Sequence, residues 1–163
     1  MKRAVAGVTV AVALVVAAVV FLWPGPRTGS EVIAYGRDTC AYCRMHLSQP
    51  GWAGEMRDAE GQLTKYDDIG CLLQAMLKRH REIPEAWVED HASGRLVPLL
   101  GAYLVRAPGA TTPMGHGLVA FGDEESAHGF ADAKGGEVVR LEDLLREPQR
   151  WAQGPESKGS QVQ

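Results

Sequence analysis

The stretch Asp67–Arg81, DDIGCLLQAMLKRHR, decides the fold. Its apolar residues recur at helical spacing, and they are Ile69, Leu72, Leu73, Met76 and Leu77. Positions i, i+3, i+4, i+7 and i+8 share one face of an α-helix. Asp67 or Asp68 supplies the side chain that favours a helix N-cap. The pattern therefore predicts an amphipathic helix from Ile69 to near Arg81, with one face against a core.

Strands and helices alternate on both sides of this helix. Segments rich in Val, Leu and aromatic residues are typical of strands, and these are Ala86–Asp90, Leu99–Val105 and Gly117–Phe121. Gln62–Asp67 is a further candidate for a short strand. A second helix is predicted at Glu124–Ala133, followed by a strand at Glu137–Leu141 and a short helix at Leu141–Arg146. The fold class expected from this order is α+β, a small domain of two related strand-helix-strand halves.

The amino-terminal segment Ala4–Trp23 is of another character, since 18 of its 20 residues are apolar. A helix of about 20 residues spans the bilayer core, and Lys2 and Arg3 place its leading end in the cytoplasm. A cleaved signal peptide is the alternative. The apolar run exceeds the roughly 7–15 residues of a signal core, and no small-x-small site follows it, which favours an uncleaved transmembrane anchor. Either way the domain is exported to the periplasm or outside the cell.

Length and charge limit the number of domains and the classes of function that the chain can have. We predict an anchor and linker in residues 1–30, one domain in residues 31–150 and a polar, disordered tail in residues 151–163. The net charge is −3, and it becomes −5 once Lys2 and Arg3 are set aside. A mildly acidic domain lacks the basic surface that nucleic acids require. The sequence has neither a Gly-rich phosphate loop nor a recognisable Ser or His nucleophile arrangement, so an enzyme is not expected.

Sulfur residues form the most informative motif, Cys40-Ala41-Tyr42-Cys43-Arg44-Met45. A C-x-x-C pair alone fits a redox dithiol, half of a zinc site or a soft-metal site. Met45 lies two residues after Cys43, and on an extended chain such residues project from the same face. A thioether is a poor zinc ligand and no redox nucleophile, whereas it suits Cu(I).

A second motif repeats this spacing at Thr112-Pro113-Met114-Gly115-His116-Gly117. Together the motifs predict a Cu(I) site with Cys43, Met45 and Met114 as donors, completed or relayed by Cys40 or His116. Structural alternatives remain for the same residues. Both methionines would serve as core gap-fillers, and Cys40 and Cys43 as a disulfide.

Cys71 is expected to be a small buried apolar residue, with a ligand role as the alternative. Three cysteines are an odd number for an exported chain, because one bridge leaves a thiol over.

These motifs, with Lys65–Cys71, Ala120-Phe121 and Gly135–Val138, resemble the NosL family of nitrous oxide reductase accessory proteins. The resemblance covers roughly Asp38–Leu145. It implies a periplasmic copper chaperone that binds one cuprous ion and passes it toward the copper–sulfide centre of nitrous oxide reductase. It also implies work with a NosDFY-type ABC transporter complex, and a fold of two related halves similar to part of organomercurial lyase.

Residue by residue, the family's Cys-x-Met corresponds to Cys43 and Met45, and its later methionine to Met114. Cys40 and Cys71 match a subset of members. Many members are lipoproteins, whereas this chain would use the helix at Ala4–Trp23.

Two other functions compete with copper transfer. The first is a membrane-tethered thiol–disulfide oxidoreductase using Cys40 and Cys43, which requires a thioredoxin-like βαβ order around the pair. The second is a zinc-stabilised binding module with Cys40, Cys43, Cys71 and His116 as a closed tetrahedral set.

Overall fold

The structure is a computed structural model that describes residues 29–79 and 85–152. In these two ranges no helix is long and apolar enough to cross a membrane. The predicted anchor Ala4–Trp23 and the tail from Gln153 onward lie outside the described residues.

The first half of the domain is a four-stranded antiparallel sheet with one helix. Its strands are β1 (Gly54–Arg57), β2 (Leu63–Tyr66), β3 (Glu85–Glu89) and β4 (Leu96–Pro98), in the order β2-β1-β3-β4. The helix α1 (Ile69–Lys78) follows β2. Gly54 pairs with Tyr66 on one side and with Val88 on the other, which places β1 in the middle of the unit.

The second half repeats this topology with three strands. It comprises β5 (Tyr103–Arg106), β6 (Leu118–Phe121), α2 (Glu124–Lys134) and β7 (Glu137–Val139), and the sheet order is β6-β5-β7. In each half a hairpin is followed by a helix and by a strand that pairs antiparallel with the first strand of the hairpin. A short helix, α3 (Leu141–Arg146), follows. The predicted α+β class is confirmed. The two halves have the same order of a hairpin, a helix and a further strand.

Helix ends follow their capping residues. Asp68 is the N-cap of α1, and its side chain accepts a hydrogen bond from the amide of Gly70, as expected of an N-cap aspartate. Gly135 ends α2 in the left-handed conformation, with φ of 64°, which costs glycine little. The predicted start of α1 at Ile69 and the predicted helices at 124–133 and 141–146 are therefore confirmed.

The predicted strand at Leu99–Val105 is wrong in its first half. Leu99–Gly101 forms a 3₁₀ turn, and the strand β5 begins only at Tyr103. Leu99 is buried while Leu100 is 74% exposed, so the apolar run holds a turn rather than one face of a sheet. The preceding strand β4 was not predicted, because it has only three residues and ends in Pro98. Proline is tolerated there because β4 lies at the edge of the sheet.

Strand β1 was also missed, because its charged residues are buried. Glu55 and Arg57 lie on the face that the segment before Cys40 covers. Glu55 Oε2 accepts a hydrogen bond from the amide of Glu31 at 2.9 Å. Arg57 Nη2 donates to the carbonyl of Gly29 at 2.6 Å. Charges in a strand are typical of a solvent-exposed face, and here a chain segment replaces the solvent.

The main core lies between the two sheets and around α1. Leu72 on α1 packs so closely over β1 that a side chain on Gly54 would meet its Cδ2 at 2.8 Å. The same cluster includes Leu104 and Leu118 from the second sheet. Trp151 also belongs to this cluster, since it is buried and its Nε1 donates to the carbonyl of Leu144 at 2.8 Å.

Replacing Leu72→Ala should lower the free energy of unfolding by about 2–5 kcal/mol, because it leaves a cavity between the sheets. Leu100→Ala is the matched control, since this leucine is exposed, and it should change stability by about 0.5 kcal/mol or less. Urea unfolding of both variants measures the difference, and equal effects would contradict the assigned core.

Candidate metal centre

Three cysteines lie together in the first half of the domain. The Sγ atoms of Cys40, Cys43 and Cys71 all lie within 4.8 Å of one another. Cys40 and Cys71 are fully buried, whereas Cys43 is half-buried. We call these residues the cysteine triad. Cys71, expected to be a buried apolar residue, is buried as predicted and is also a member of the sulfur cluster.

A compact turn brings Cys40 and Cys43 to the helix. The amide of Cys40 donates to the carbonyl of Met45 at 2.8 Å, and the amide of Arg44 donates to the carbonyl of Cys40 at 3.0 Å. Arg44 adopts φ of 67°, an uncommon conformation for a residue other than glycine. The amide of Ala41 donates to the carbonyl of Lys65 at 2.9 Å. The turn is thus fastened to the end of β2, just before the first turn of α1, where Cys71 lies.

Hydrogen bonding and burial shift the pKa values of the three cysteines in different directions. The Cys71 thiol and the backbone amides of Asp67, Cys43 and Tyr42 all hydrogen-bond to the Cys40 sulfur, and they hold its pKa well below the usual range despite burial. The pKa of Cys71 is raised, first by its hydrogen bond to Cys40 and then by burial. Burial also raises the pKa of Cys43. Within the cluster, the hydrogen bonds favour the charged form of Cys40 most.

The two candidate methionines differ in exposure. Met45 is 49% exposed and lies outside the packed core, so it is not a core gap-filler. Met114 is half-buried and packs against the main core. Met45 immediately follows the turn of the cysteine triad, and Met114 lies on a loop held to α1.

Asp68 holds that loop. We call Thr112–Gly117 the methionine loop. Asp68 Oδ2 accepts a hydrogen bond from the amide of Met114 at 3.1 Å, and Oδ1 lies 2.8 Å from Nδ1 of His116. Oδ1 also caps the amide of Gly70 at 2.7 Å. One buried carboxylate therefore fixes the methionine loop against the helix turn that carries Cys71.

His116 is enclosed on every side by this arrangement. Its side chain is 6% exposed, and Nε2 lies 2.9 Å from Nε2 of Gln74. The Gln74 carbonyl oxygen accepts a hydrogen bond from the Tyr42 hydroxyl, which leaves the amide nitrogen as donor to His116. With that assignment Nδ1 carries the proton donated to Asp68, and both ring nitrogens are engaged. The ring lies so close to α1 that a Cβ on Gly70 would be 2.2 Å from His116 Cγ.

The chemistry of the donor set fits a soft cation. Among the described residues, the group able to hold a metal consists of the cysteine triad and does not include His116. A closed zinc site of three cysteines and His116 is therefore not assembled in this arrangement. The oxidoreductase alternative is also disfavoured, because Cys40 and Cys43 occupy a turn before β1 and not the start of a helix. Thiolate and thiol sulfur favour Cu(I) over harder ions.

Several of the residues that build the site escaped sequence reasoning. Asp68 was recognised as a helix cap, but its link to the methionine loop, 46 residues away, has no local signature. Gln74 and Tyr42 read as ordinary polar residues. The segment Lys65–Cys71 was the sequence signal that could have located them. Its seven residues contain the end of β2, the helix cap and the third cysteine.

Comparison with known proteins gives two findings. The family model described as NosL matches residues 32–148. The crystal structure of the copper chaperone NosL from Shewanella denitrificans is similar to this fold, with a TM-score of 0.66 and 19% sequence identity. That likeness covers 74% of this chain and 98% of the other. None of the curated proteins matches the chain.

Asp68→Asn should lower the free energy of unfolding at neutral pH by about 1.5–3 kcal/mol, the range for a hydrogen bond to a charged group. Burial favours the neutral acid, but the hydrogen bonds from His116, Thr112 and Met114 outweigh it and lower the pKa of Asp68. Its charged form thus adds stability above the ordinary value of 3.8, and this is lost as the pH falls through the depressed folded value.

Urea unfolding from neutral pH down through the lowered pKa of Asp68 measures this loss of stability. The wild type should lose stability on acidification more steeply than Asp68→Asn. The matched control is Asp123→Asn, the same change at the exposed N-cap of α2, where asparagine caps as well. Parallel pH profiles for wild type and Asp68→Asn would refute the assigned role.

Gly70→Ala should destabilise the domain by about 1–3 kcal/mol, the usual cost of overpacking, because the new methyl group displaces the His116 ring. Gly129→Ala in α2, where no atom lies within 4 Å of the added Cβ, should instead stabilise by about 0.5–1 kcal/mol. Thermal unfolding and the ¹⁵N chemical shifts of the His116 ring test this. Unchanged shifts in Gly70→Ala would rule out the close approach.

Proposed function

We propose, from the premise that this chain belongs to the NosL family, that it is a metallochaperone that binds Cu(I) and transfers it to an acceptor. The cargo is the metal ion itself, so the role is transfer and not catalysis. The observation that carries the proposal is the cysteine triad, three sulfur atoms within 4.8 Å inside the matched domain.

The ligand set that we propose starts from the cysteine triad. Cys43 is the half-buried sulfur donor, which would bind the ion as a thiolate, and the Cys40 sulfur lies within 4.8 Å of it. Met45 and Met114 supply neutral thioethers, which favour Cu(I) over Cu(II) and zinc. Cys71 adds a third thiol that the sequence left uncertain. We assign His116 a positioning role, because Asp68 and Gln74 occupy both of its ring nitrogens.

The exposure of these donors supports transfer. Cys40 and Cys71 are buried, Cys43 is half-buried and Met45 is 49% exposed. An acceptor can therefore approach from the side of Met45 and replace ligands one at a time. A site closed on all sides would hold copper without releasing it.

The acceptor and the location are also proposals. The family resemblance supports delivery to the copper–sulfide centre of nitrous oxide reductase, with a NosDFY-type ABC transporter complex and the apo-enzyme as partners. The apolar segment Ala4–Trp23 supports a single-pass anchor in the cytoplasmic membrane with the domain in the periplasm or outside the cell.

An anaerobic Cu(I) titration of the reduced full chain in detergent, competed with a chromogenic cuprous chelator, tests the proposal. One ion should bind tightly. Loss of an outer partner of a metal ligand costs about 10–100-fold in affinity, so Cys43→Ser should cost at least the upper end of that range. Met45→Leu and Met114→Leu should each weaken binding by about 10-fold, since leucine keeps the size of methionine without its sulfur.

Met76→Leu is the matched control, because Met76 lies in the core on α1, and its affinity should equal that of the wild type. Retention of wild-type affinity by Cys43→Ser would reject the copper site. Wild-type Cu(I) affinity in both Met45→Leu and Met114→Leu would mean that the ligands come from the cysteine triad alone.

A further inference from the structure

Three thiols that lie this close have a second chemistry besides metal binding. We propose that the metal-free cysteine triad is a site of thiol–disulfide exchange, in which Cys40 and Cys43 form a bridge, Cys71 stays a thiol, and reduction of the bridge must precede copper loading. The last part rests on the proposed function. The partner class is a disulfide as oxidant and a dithiol as reductant.

Access decides where the exchange begins. Cys40 and Cys71 have no exposed surface, whereas Cys43 is half-buried. An external disulfide therefore reaches the sulfur of Cys43. The Cys43 thiolate attacks one sulfur of that disulfide, a mixed disulfide forms, and the first partner thiolate leaves.

Proximity decides how the exchange ends. Cys40 and Cys43 share one turn, and the amide nitrogen of Cys43 lies 3.5 Å from Cys40 Sγ. Cys71 is held on the first turn of α1. A bridge between Cys40 and Cys43 requires their sulfurs to approach from within 4.8 Å to about 2 Å, and both residues belong to the same turn.

The second step completes the balance. The Cys40 thiolate attacks Cys43 Sγ, the mixed disulfide breaks, and the second partner thiolate leaves. Two electrons pass from the cysteine pair to the external disulfide, which becomes two thiols by taking up the two protons of Cys40 and Cys43. The reverse reaction with a dithiol restores both thiols.

The bridge removes copper affinity for a simple reason. A disulfide sulfur is no thiolate donor, so the bridged chain retains Cys71 and the two methionines. A bound Cu(I), in turn, occupies Cys40 and Cys43 and withholds both from exchange. The reduced, metal-free protein is therefore the form that accepts copper, and the odd number of cysteines leaves Cys71 as a thiol in the bridged form.

The test uses the full chain in detergent, equilibrated anaerobically with glutathione disulfide, alkylated and digested with trypsin. Cleavage after Arg37 and Arg44 places Cys40 and Cys43 in one peptide, and cleavage after Lys65 and Lys78 places Cys71 in another. Mass spectrometry should find the peptide 38–44 lighter by two hydrogens and Cys71 alkylated. A link between the two peptides, or three alkylated cysteines, would overturn the proposal.

Variants separate the two steps. Cys71→Ser should form the same bridge as the wild type, whereas Cys40→Ser should stop with glutathione attached to Cys43. An unmodified Cys43 in Cys40→Ser would overturn the assigned first step.

Copper binding separates this inference from the proposed function. The bridged chain should bind Cu(I) more than about 100-fold more weakly than the reduced chain, since loss of an outer partner alone costs up to about that factor. Equal affinity in both states would overturn the redox inference and leave the copper proposal intact. A chain that forms the bridge but fails to bind copper when reduced would reject the copper proposal instead.

Discussion

The buried carboxylate of Asp68 is the constraint on which the site depends. It caps the first turn of α1, receives the amide of Met114 and pairs with His116. These contacts join the methionine loop of the second half to the helix turn of the first half that carries Cys71. A buried carboxylate is costly unless its oxygens are satisfied, so the methionine loop and the cysteine-bearing helix turn are held together by the need to satisfy one charge.

This constraint separates the role of His116 from that of the sulfur atoms. His116 is fully engaged by Asp68 and Gln74, and it serves to orient the methionine loop. The sulfur atoms remain free for a soft ion or, without one, for each other. Their exposure rises from Cys40 and Cys71 through Cys43 to Met45, which gives the cluster a buried end and an accessible end. Both copper transfer and disulfide exchange use that accessible end.

Sequence reasoning predicted what local chemistry determines. The stripe from Ile69 to Leu77 and the cap at Asp68 gave α1, and Gly135 gave the end of α2. The sequence did not predict β1, because its burial depends on contacts with distant residues. The segment that begins at Gly29 covers the charged side chains of this strand. The motifs likewise identified the sulfur residues. They could not place Cys71 beside Cys40 or show His116 enclosed, because both depend on how β2 and the methionine loop pack around α1.

X-ray absorption at the copper edge of the Cu(I)-loaded full chain tests the central claim most directly, because it reports the atoms bound to the ion. We expect sulfur alone in the first coordination shell of copper, in the wild type and equally in His116→Gln. Imidazole scattering in the wild type that disappears in His116→Gln would contradict it. That result would mean that copper draws His116 away from Asp68 and Gln74, and that the buried carboxylate does not set the donor set of the site.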